Sequence, residues 1–257
     1  MDELEALRPV SLEALEERAE LLRRVDAKYL VARAELAALL RELEGDHDVL
    51  EIDGRRRFAY RSVYFDTPDL RTFRDHVRGA RPRFKLRTRS YLDSGLCLFE
   101  VKLKTADDET QKRQAEHPAG EPESLTGEAR ELVRETLGEA GVAVPEDLRA
   151  LLATEFDRFT LAAREGAARI TVDTGLRLRR LTDGVACAMD ASLALVETKS
   201  EDGASRADEL LERDGFATVS MSKYRTGVDL LLEQEDSAET AAVRRAFGSE
   251  GESGRPG

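Results

Sequence analysis

Leucines recur at helical spacing in two segments near the start of the chain. They mark one face of residues 2–24 and one face of residues 33–43, where Gly45 supplies a stop signal. An apolar residue every three to four positions predicts an amphipathic helix. Helical spacing or helix-opening turn signals predict further helices over residues 70–77, 128–140, 146–153, 205–214 and 227–233.

Apolar and polar residues alternate along much of the remaining chain, and this period of two predicts β-strands. Asp93-Ser94-Gly95 separates two of these segments and predicts a tight hairpin turn. Residues 105–122 are almost entirely polar, which predicts a loop. The predicted strands cover residues 25–31, 57–66, 83–91, 96–104, 155–164, 168–173, 176–181, 186–190 and 193–200.

Helical and strand patterns are interspersed, with no internal repeat and no dividing linker. The sequence therefore predicts a single α+β domain. We place this domain at residues 24–235, after an N-terminal helix over residues 1–23. Residues 236–257 are acidic and then rich in Gly and Ser, a composition typical of a disordered tail.

The composition argues against several classes of protein. The 257 residues include two cysteines without a CxxC pair and three histidines without metal-ligand spacing. We therefore expect neither a disulfide framework nor a structural zinc site, and we expect a cytoplasmic location. The N-terminus is acidic, unlike a secretory signal, and no apolar run is long enough to cross a bilayer. A net charge of −12 and the lack of Trp argue against a nucleic-acid partner.

Positive charge is concentrated in one part of this acidic chain. Residues 55–104 contain 14 Lys or Arg and 5 Asp or Glu. Alternate residues of a strand share a face, and a face with many like charges repels itself unless anions lie against it. We therefore expect a phosphate-binding surface here, and a basic face exposed to water is the alternative. The alternating cations of the predicted hairpin are Arg83, Lys85, Arg87, Arg89, Lys102 and Lys104.

An acid stands two residues before a lysine on three predicted strands. Because such residues share a strand face, each pair offers a carboxylate beside a phosphate ligand. Mg²⁺ and Mn²⁺ accept carboxylate and phosphate oxygens together, so the spacing favours a metal bound with phosphate. A salt bridge within the strand is the alternative for any single pair. The pairs are Asp26 and Lys28, Glu100 and Lys102, and Glu197 and Lys199.

Eight short motifs follow one another in the order Asp26-x-Lys28-Tyr29, Ser62-x-Tyr64-Phe65-Asp66-Thr67, Lys85-x-Arg87-x-Arg89-x-Tyr91, Glu100-x-Lys102, Lys112-Arg113, Phe156-x-Arg158, Glu197-x-Lys199 and Ser222-Lys223-Tyr224. Over about residues 24–232 they resemble the VTC polyphosphate polymerase domain of the triphosphate tunnel (CYTH-like) superfamily. The resemblance implies an antiparallel β-barrel with flanking helices and a basic tunnel. It also implies that ATP extends an inorganic polyphosphate chain with the help of Mn²⁺ or Mg²⁺.

The resemblance implies roles for individual residues. Catalytic roles fall on Arg87, Arg89, Arg158 and Glu197. Glu197 is also the principal metal ligand that it implies, and Glu100 is a weaker candidate. The phosphate ligands that it implies are Lys28, Arg87, Arg89, Lys102, Lys112, Arg158, Ser222 and Lys223. Strand alternation adds Lys85, Lys104 and Lys199 to the same wall.

Two positions depart from the family pattern. Hydrolytic members of the superfamily carry Glu-x-Glu-x-Lys on the first strand, whereas Arg24 and Asp26 occupy the acidic positions here, which favours a polymerase. His76 stands near the place of an arginine in the polymerases. Two alternatives stay open: a metal-dependent inorganic or nucleoside triphosphatase, and a module that binds polyphosphate or nucleotide without turnover. The sequence identifies no protein partner and contains no recognisable SPX domain.

Overall fold

The computed structural model describes residues 3–18, 25–107, 109–232, 241 and 243–249. The helices in this part of the chain are α1 (Leu12–Arg18), α2 (Arg33–Leu43), α3 (Arg71–Val77), α4 (Gly127–Glu139), α5 (Arg206–Arg213) and α6 (Lys223–Leu231), with a short 3-10 helix at Glu3–Ala6. None of these described helices combines the length and the hydropathy that a membrane span requires.

The strands of the described residues are β1 (Arg8–Val10), β2 (Val25–Ala32), β3 (His47–Leu50), β4 (Phe58–Asp66), β5 (Arg83–Tyr91), β6 (Leu96–Lys104), β7 (Thr110–Glu116), β8 (Arg149–Ala163), β9 (Arg169–Arg180), β10 (Ala186–Met189), β11 (Leu193–Ser200) and β12 (Phe247–Ser249). They form one sheet with the main order β12-β10-β9-β8-β4-β5-β6-β7. The long β9 also pairs with β11, which pairs in turn with β2. The ladders are antiparallel except for β1 beside β3.

The sheet is strongly curled. Lys28 on β2 and Lys85 on β5 are five strand spacings apart along the sheet, which a flat sheet would separate by roughly 24 Å. Lys28 is nevertheless close enough to lower the pKa of Lys85 through charge repulsion. Ser222 and Lys223, adjacent in sequence, likewise contact Lys85 on β5 and Asp173 on β9. Only a sheet that bends round on itself brings these strands together, and its edges β2 and β7 do not pair with each other among the described strands.

The two faces of the curled sheet have different coverings. On the convex face, α2 and α5 pack over β2, β8, β9 and β11, and α4 packs over β5 and β6. On the concave face, α6 fills one end of the sheet with an apolar cluster that includes Tyr224 and Val228. Helix α6 begins at Lys223, so its first residue lies where the apolar filling ends and the charged part of the concave face begins.

Asp66, at the end of β4, fixes α6 against α3. Its carboxylate accepts hydrogen bonds from the backbone N–H groups of Thr67, Thr72 and Phe73 at the start of α3. It also accepts the hydroxyl hydrogen bond of Tyr224 from α6. Both residues belong to the motifs that carry the family resemblance. Their contact holds the start of α6 and the start of α3 in place over the concave face.

Three predicted elements are wrong. The single helix predicted over residues 2–24 is interrupted by β1. Pro9 favours extended backbone there, and the segment pairs with β3. Residues 19–24 lie outside the described residues. The predicted loop over residues 105–122 contains β7, which pairs with β6. The helix predicted over residues 146–153 is replaced by β8 from Arg149 onward, because pairing with β4 outweighs helix propensity.

Most of the other elements are confirmed. Helix α2 and strands β5, β6 and β11 have the predicted bounds, and the α+β class holds. The strands predicted at residues 168–173 and 176–181 are one continuous strand, β9. The tail at residues 236–257 lies mostly outside the described residues, although Phe247–Ser249 forms β12. The division of the chain at residues 23 and 235 stays a prediction.

Candidate functional site

Asp173, on β9, is a buried acid of the concave face, with 2% of its surface exposed. Its carboxylate accepts two hydrogen bonds from Arg158 on the neighbouring strand, at 2.5 and 2.8 Å, and a third from Lys223 of α6. Burial alone would raise the pKa of Asp173, but the two cations outweigh it and hold the pKa below its ordinary value. We call these three residues the Asp173 cluster.

Glu197 on β11 forms a second cluster with two lysines. Its Oε1 lies 2.8 Å from Nζ of Lys199 and 3.5 Å from Nζ of Lys28 on β2. Burial again acts to raise the pKa of the carboxyl group, and the two lysines lower it well below its ordinary value. Glu197 is therefore ionised at neutral pH, and its side chain keeps 18% of its surface exposed. These residues are the Glu197 cluster.

Glu100 on β6 forms the third cluster, with three cations from the two neighbouring strands β5 and β7. Its carboxylate lies 2.6 Å from Nε of Arg87, 3.6 Å from the guanidinium of Arg89 and 3.0 Å from Nζ of Lys112. Only 3% of the Glu100 side chain is exposed. Burial opposes ionisation, but Arg87 and Lys112 lower the pKa of the carboxyl group. We call these residues the Glu100 cluster.

The remaining predicted cations lie beside these clusters. Lys102 stands opposite Lys85 and Lys112 in the β5-β6-β7 register, and Lys104 stands opposite Arg83 at the end of the ladder. Lys85 Nζ donates a hydrogen bond of 3.0 Å to Ser222 Oγ. The structure thus brings every predicted site residue to the concave face or to the N-cap of α6.

Aromatic rings lie beneath the two cations of the Asp173 cluster. The guanidinium carbon of Arg158 is 5.5 Å from the ring centre of Tyr60 and 5.1 Å from that of Phe156, and these two rings are stacked on each other. Nζ of Lys223 lies 4.5 Å from the Phe156 ring centre. Such contacts stabilise desolvated cations and restrict their side-chain rotation. Arg158 and Lys223 are therefore already positioned to bind an anion.

The charge balance of the three clusters is positive. Three carboxylates stand against seven Lys or Arg side chains. A concave surface with low-dielectric walls focuses this excess charge and attracts anions. A chain of phosphate groups has the repeated negative charge that a row of such clusters would bind.

The acids of this face are distributed among the cations. In the part of the chain that the structure describes, no three His, Cys, Asp or Glu side chains come together in a metal-binding group. A divalent ion bound to triphosphate needs only one or two protein carboxylates, because phosphate and water supply the other ligands. Glu197 fits that role because its carboxylate is ionised and partly exposed. Glu100 fits it less well because its carboxylate is buried and already contacts three cations.

A second concavity lies outside the clusters, among the loops that join α2 to β3, β8 to β9 and β11 to α5. Its volume is about 590 Å³. Its charged lining includes four acids and two arginines, so it disfavours a polyanion. The charged lining residues are Asp46, Arg164, Glu165, Glu201, Asp202 and Arg206.

Comparison with known proteins identifies the family of this chain. The family model of the VTC domain matches residues 23–232. The chain belongs to the VTC domain family. No curated protein sequence matches the chain. The family assignment agrees with the resemblance drawn from the eight motifs.

Two solved structures are similar to this VTC domain. A Hippeastrum protein, described as a proposed adenylyl cyclase with a dominant triphosphatase activity, has a TM-score of 0.50 at 15% identity, covering 82% of this chain and 100% of its own. A proposed adenylate cyclase from Vibrio parahaemolyticus has a TM-score of 0.44 at 15% identity, covering 78% and 94%. The Hippeastrum structure supports the predicted antiparallel triphosphate tunnel architecture.

The sequence patterns did not identify two participants in the site. Asp173 was included in a predicted strand without a role, although Arg169, Thr171 and Asp173 alternate on one strand face and an acid there is unusual. The stacked rings are the other: Phe156 stands in one of the eight motifs without a role, and Tyr60 stands in none. Their proximity depends on the β4-β8 register, which single-strand patterns do not specify.

Asp173→Asn is expected to destabilise the protein by about 3 kcal/mol, because the substitution leaves two half-buried cations without their acid. Urea unfolding at neutral pH measures the loss. In the wild-type protein the stabilisation by Asp173 is present above its ordinary pKa of 3.8 and is lost as the pH falls, because the folded-state pKa is lowered.

Asp48→Asn provides the matched control. Asp48 is also buried and ion-paired, but its partners Arg8, Arg18 and Arg164 lie outside the concave face. Tripolyphosphate should stabilise the Asp173 variant more than the wild type, because it replaces the missing negative charge. It should give the Asp48 variant only the wild-type increment. Equal increments for both variants would show that Asp173 does not stand in a phosphate site.

Proposed function

We propose that this VTC domain is a polyphosphate polymerase that transfers the terminal phosphate of ATP to a growing inorganic polyphosphate chain. One observation carries the proposal: the Glu197, Asp173 and Glu100 clusters place an excess of cations along a single concave face. Such a surface can hold a nucleoside triphosphate and a phosphate chain at the same time. Positioning and charge neutralisation are the main contributions of a protein to phosphoryl transfer.

The proposed roles follow the positions of the side chains. Arg87, Arg89 and Arg158 bind the terminal phosphates of ATP, since guanidinium groups match phosphate oxygens in pairs. Lys102, Lys112 and Lys223 guide the polyphosphate chain, with Ser222 donating beside Lys223. Lys28, Lys85, Lys104 and Lys199 supply the remaining positive wall.

Phosphoryl transfer in this arrangement is a direct displacement. An oxygen of the last phosphate of the polyphosphate chain attacks the terminal phosphorus of ATP, and the bond from that phosphorus to the bridging oxygen breaks. ADP leaves with the electron pair of that bond. Arg87 and Arg158 neutralise the charge that develops on the transferred group. A divalent ion, Mn²⁺ or Mg²⁺, held through Glu197 would polarise phosphate oxygens when it is bound.

The direct test is incubation of the full chain with ATP and Mn²⁺ or Mg²⁺, followed by electrophoresis that resolves phosphate chain lengths. A ladder of long chains together with ADP supports a polymerase. Release of orthophosphate without chains supports the first alternative, a triphosphatase in which water is the acceptor. Binding of polyphosphate without consumption of ATP supports a binding module.

Lys112 and Arg113 offer a matched pair on opposite faces of β7. Lys112 contacts Glu100 on the concave face, whereas Arg113 pairs with Glu139 of α4 on the convex face. Lys112→Ala is expected to lower the rate of chain synthesis by about tenfold, because half-exposed lysine contacts with phosphate contribute on the order of 1.4 kcal/mol. Arg113→Ala should leave the rate near that of the wild type. Equal rates for the two variants would argue against a phosphate path along β7.

A further inference from the structure

Lys85 differs from the cluster cations in the groups that hold it. Its Nζ donates to the hydroxyl of Ser222 at 3.0 Å and lies 3.4 Å from Nε2 of His76, on α3. The Asp173, Glu197 and Glu100 clusters pair their cations with carboxylates, whereas these two contacts of Lys85 are to neutral or titratable groups. The charge at this contact therefore depends on whether Lys85 and His76 are protonated.

The contact between Lys85 and His76 limits how many protons the two residues can hold. A lysine ammonium group and a protonated imidazole are both donors only, so one nitrogen of the contact must be an unprotonated acceptor. Nδ1 of His76 is buried and has no hydrogen-bond partner. No acceptor therefore stabilises a second proton on the ring.

The charged groups that act most strongly on this pair are cations. Lys28, Arg87, Lys102 and Arg225 face Lys85 from β2, β5, β6 and α6, and Arg81 faces His76 as well. Burial, followed by repulsion from Lys102, lowers the pKa of Lys85 to about 7. Burial, followed by repulsion from Lys85, lowers the pKa of His76 to about 3. Near neutral pH, Lys85 is therefore the residue of this pair that can gain a proton.

We infer that Lys85, His76 and Ser222 form a phosphate subsite in which Lys85 takes up one proton from solvent when a phosphate group enters. The inference rests on the proposed phosphate-binding function of the concave face. An entering phosphate places negative charge among cations that otherwise repel one another, so the ammonium form of Lys85 becomes favourable. His76 stays neutral and accepts from Lys85, while Ser222 is free to donate its hydroxyl proton to the phosphate.

Proton uptake makes binding depend on pH. At pH values above that at which free Lys85 loses its proton, affinity should fall by about tenfold per pH unit relative to a subsite with a permanent cation. Lys85→Arg provides that comparison, because the guanidinium group stays charged throughout the neutral range. The comparison also cancels the titration of the ligand, which both proteins bind in the same form.

Calorimetric titration of the full chain with inorganic tripolyphosphate, in two buffers of different ionisation enthalpy at the same pH, counts the protons. At a pH between the free and bound midpoints of Lys85, the wild type is expected to take up at least about half a proton more per tripolyphosphate than Lys85→Arg does. Equal proton counts would overturn the inference. Failure of the wild type to bind tripolyphosphate at all would instead overturn the proposed function, and the inference with it.

Carbon-13 spectra of the lysine side chains give a second measurement. The chain contains seven lysines, so their Cε resonances can be followed individually. The Lys85 resonance, identified by its loss in Lys85→Arg, should titrate near pH 7 in the free protein, and its midpoint should rise by at least about one unit with tripolyphosphate. The inference fails if the Lys85 resonance does not show that shift.

Discussion

Arg87→Ala should lower polyphosphate synthesis at least about a hundredfold, because removal of one preorganised donor to developing charge costs on the order of 3 kcal/mol. Arg87 is half-buried on β5, and its guanidinium group is held between Glu100 and the hydroxyl of Tyr64. These contacts fix the group before a phosphate arrives, so its positioning requires no reorganisation during the reaction. The rate of ADP formation and the length distribution of the phosphate chains measure the loss.

Arg61→Ala is the matched control for this prediction. Arg61 lies on the neighbouring strand β4, but it points to the opposite face and pairs with Glu123 and Glu155. This variant should synthesise chains at a rate close to that of the wild type. If Arg87→Ala kept full activity, or if both variants lost activity to the same extent, the assignment of Arg87 to the reacting phosphates would be wrong.

Glu197→Gln should separate binding from turnover. Loss of the carboxylate is expected to lower synthesis by about a hundredfold or more, because the substitution removes the side chain that best fits a divalent ion. Without added metal, however, tripolyphosphate should bind several-fold more tightly to the variant than to the wild type. The reason is that Lys28 and Lys199 are no longer neutralised by the acid between them.

Glu155→Gln controls for the removal of one negative charge. Glu155 lies on the convex face beside Arg61 and Arg177, so its loss should change neither synthesis nor tripolyphosphate affinity appreciably. Paired activity assays and calorimetry of the two variants separate the effects. Weaker tripolyphosphate binding by Glu197→Gln in the absence of metal would contradict the arrangement proposed for this cluster.

Strand alternation predicted most of the concave face because each strand carries its own pattern. Arg83–Tyr91 and Leu96–Lys104 have the predicted bounds, and their cations point to one side while Phe84 and Leu86 pack under α4. A period of two is a local property, so one strand suffices to reveal it. The sequence therefore indicated which side chains share a face before any pairing was known.

These patterns do not predict which side chains of different elements meet. The carboxylate of Asp173 meets Arg158 because β8 and β9 align in one register, and it meets Lys223 because α6 folds into the concave face. The proximity of His76 to Lys85 depends likewise on how Asp66 and Tyr224 fix α3 against α6. Such contacts are set by tertiary packing, which overrides local preference.

Strand β7 is a further element that the sequence patterns did not predict. Its sequence is polar on both faces, which predicted a loop, yet its residues pair with β6 along seven positions. One face turns to the Glu100 cluster and the other toward α4 and solvent, so neither face needs to be apolar. A strand with two polar faces lacks the alternation that would have identified it.

A crystal structure of the full chain with tripolyphosphate and Mn²⁺ tests most directly the claim that the concave face binds a phosphate chain. We expect phosphate oxygens within hydrogen-bond distance of Arg87, Arg158 and Lys223, with the ion on the Glu197 side chain. The account would be contradicted if tripolyphosphate bound only on the convex face or in the second concavity and these three cations stayed paired with their own carboxylates.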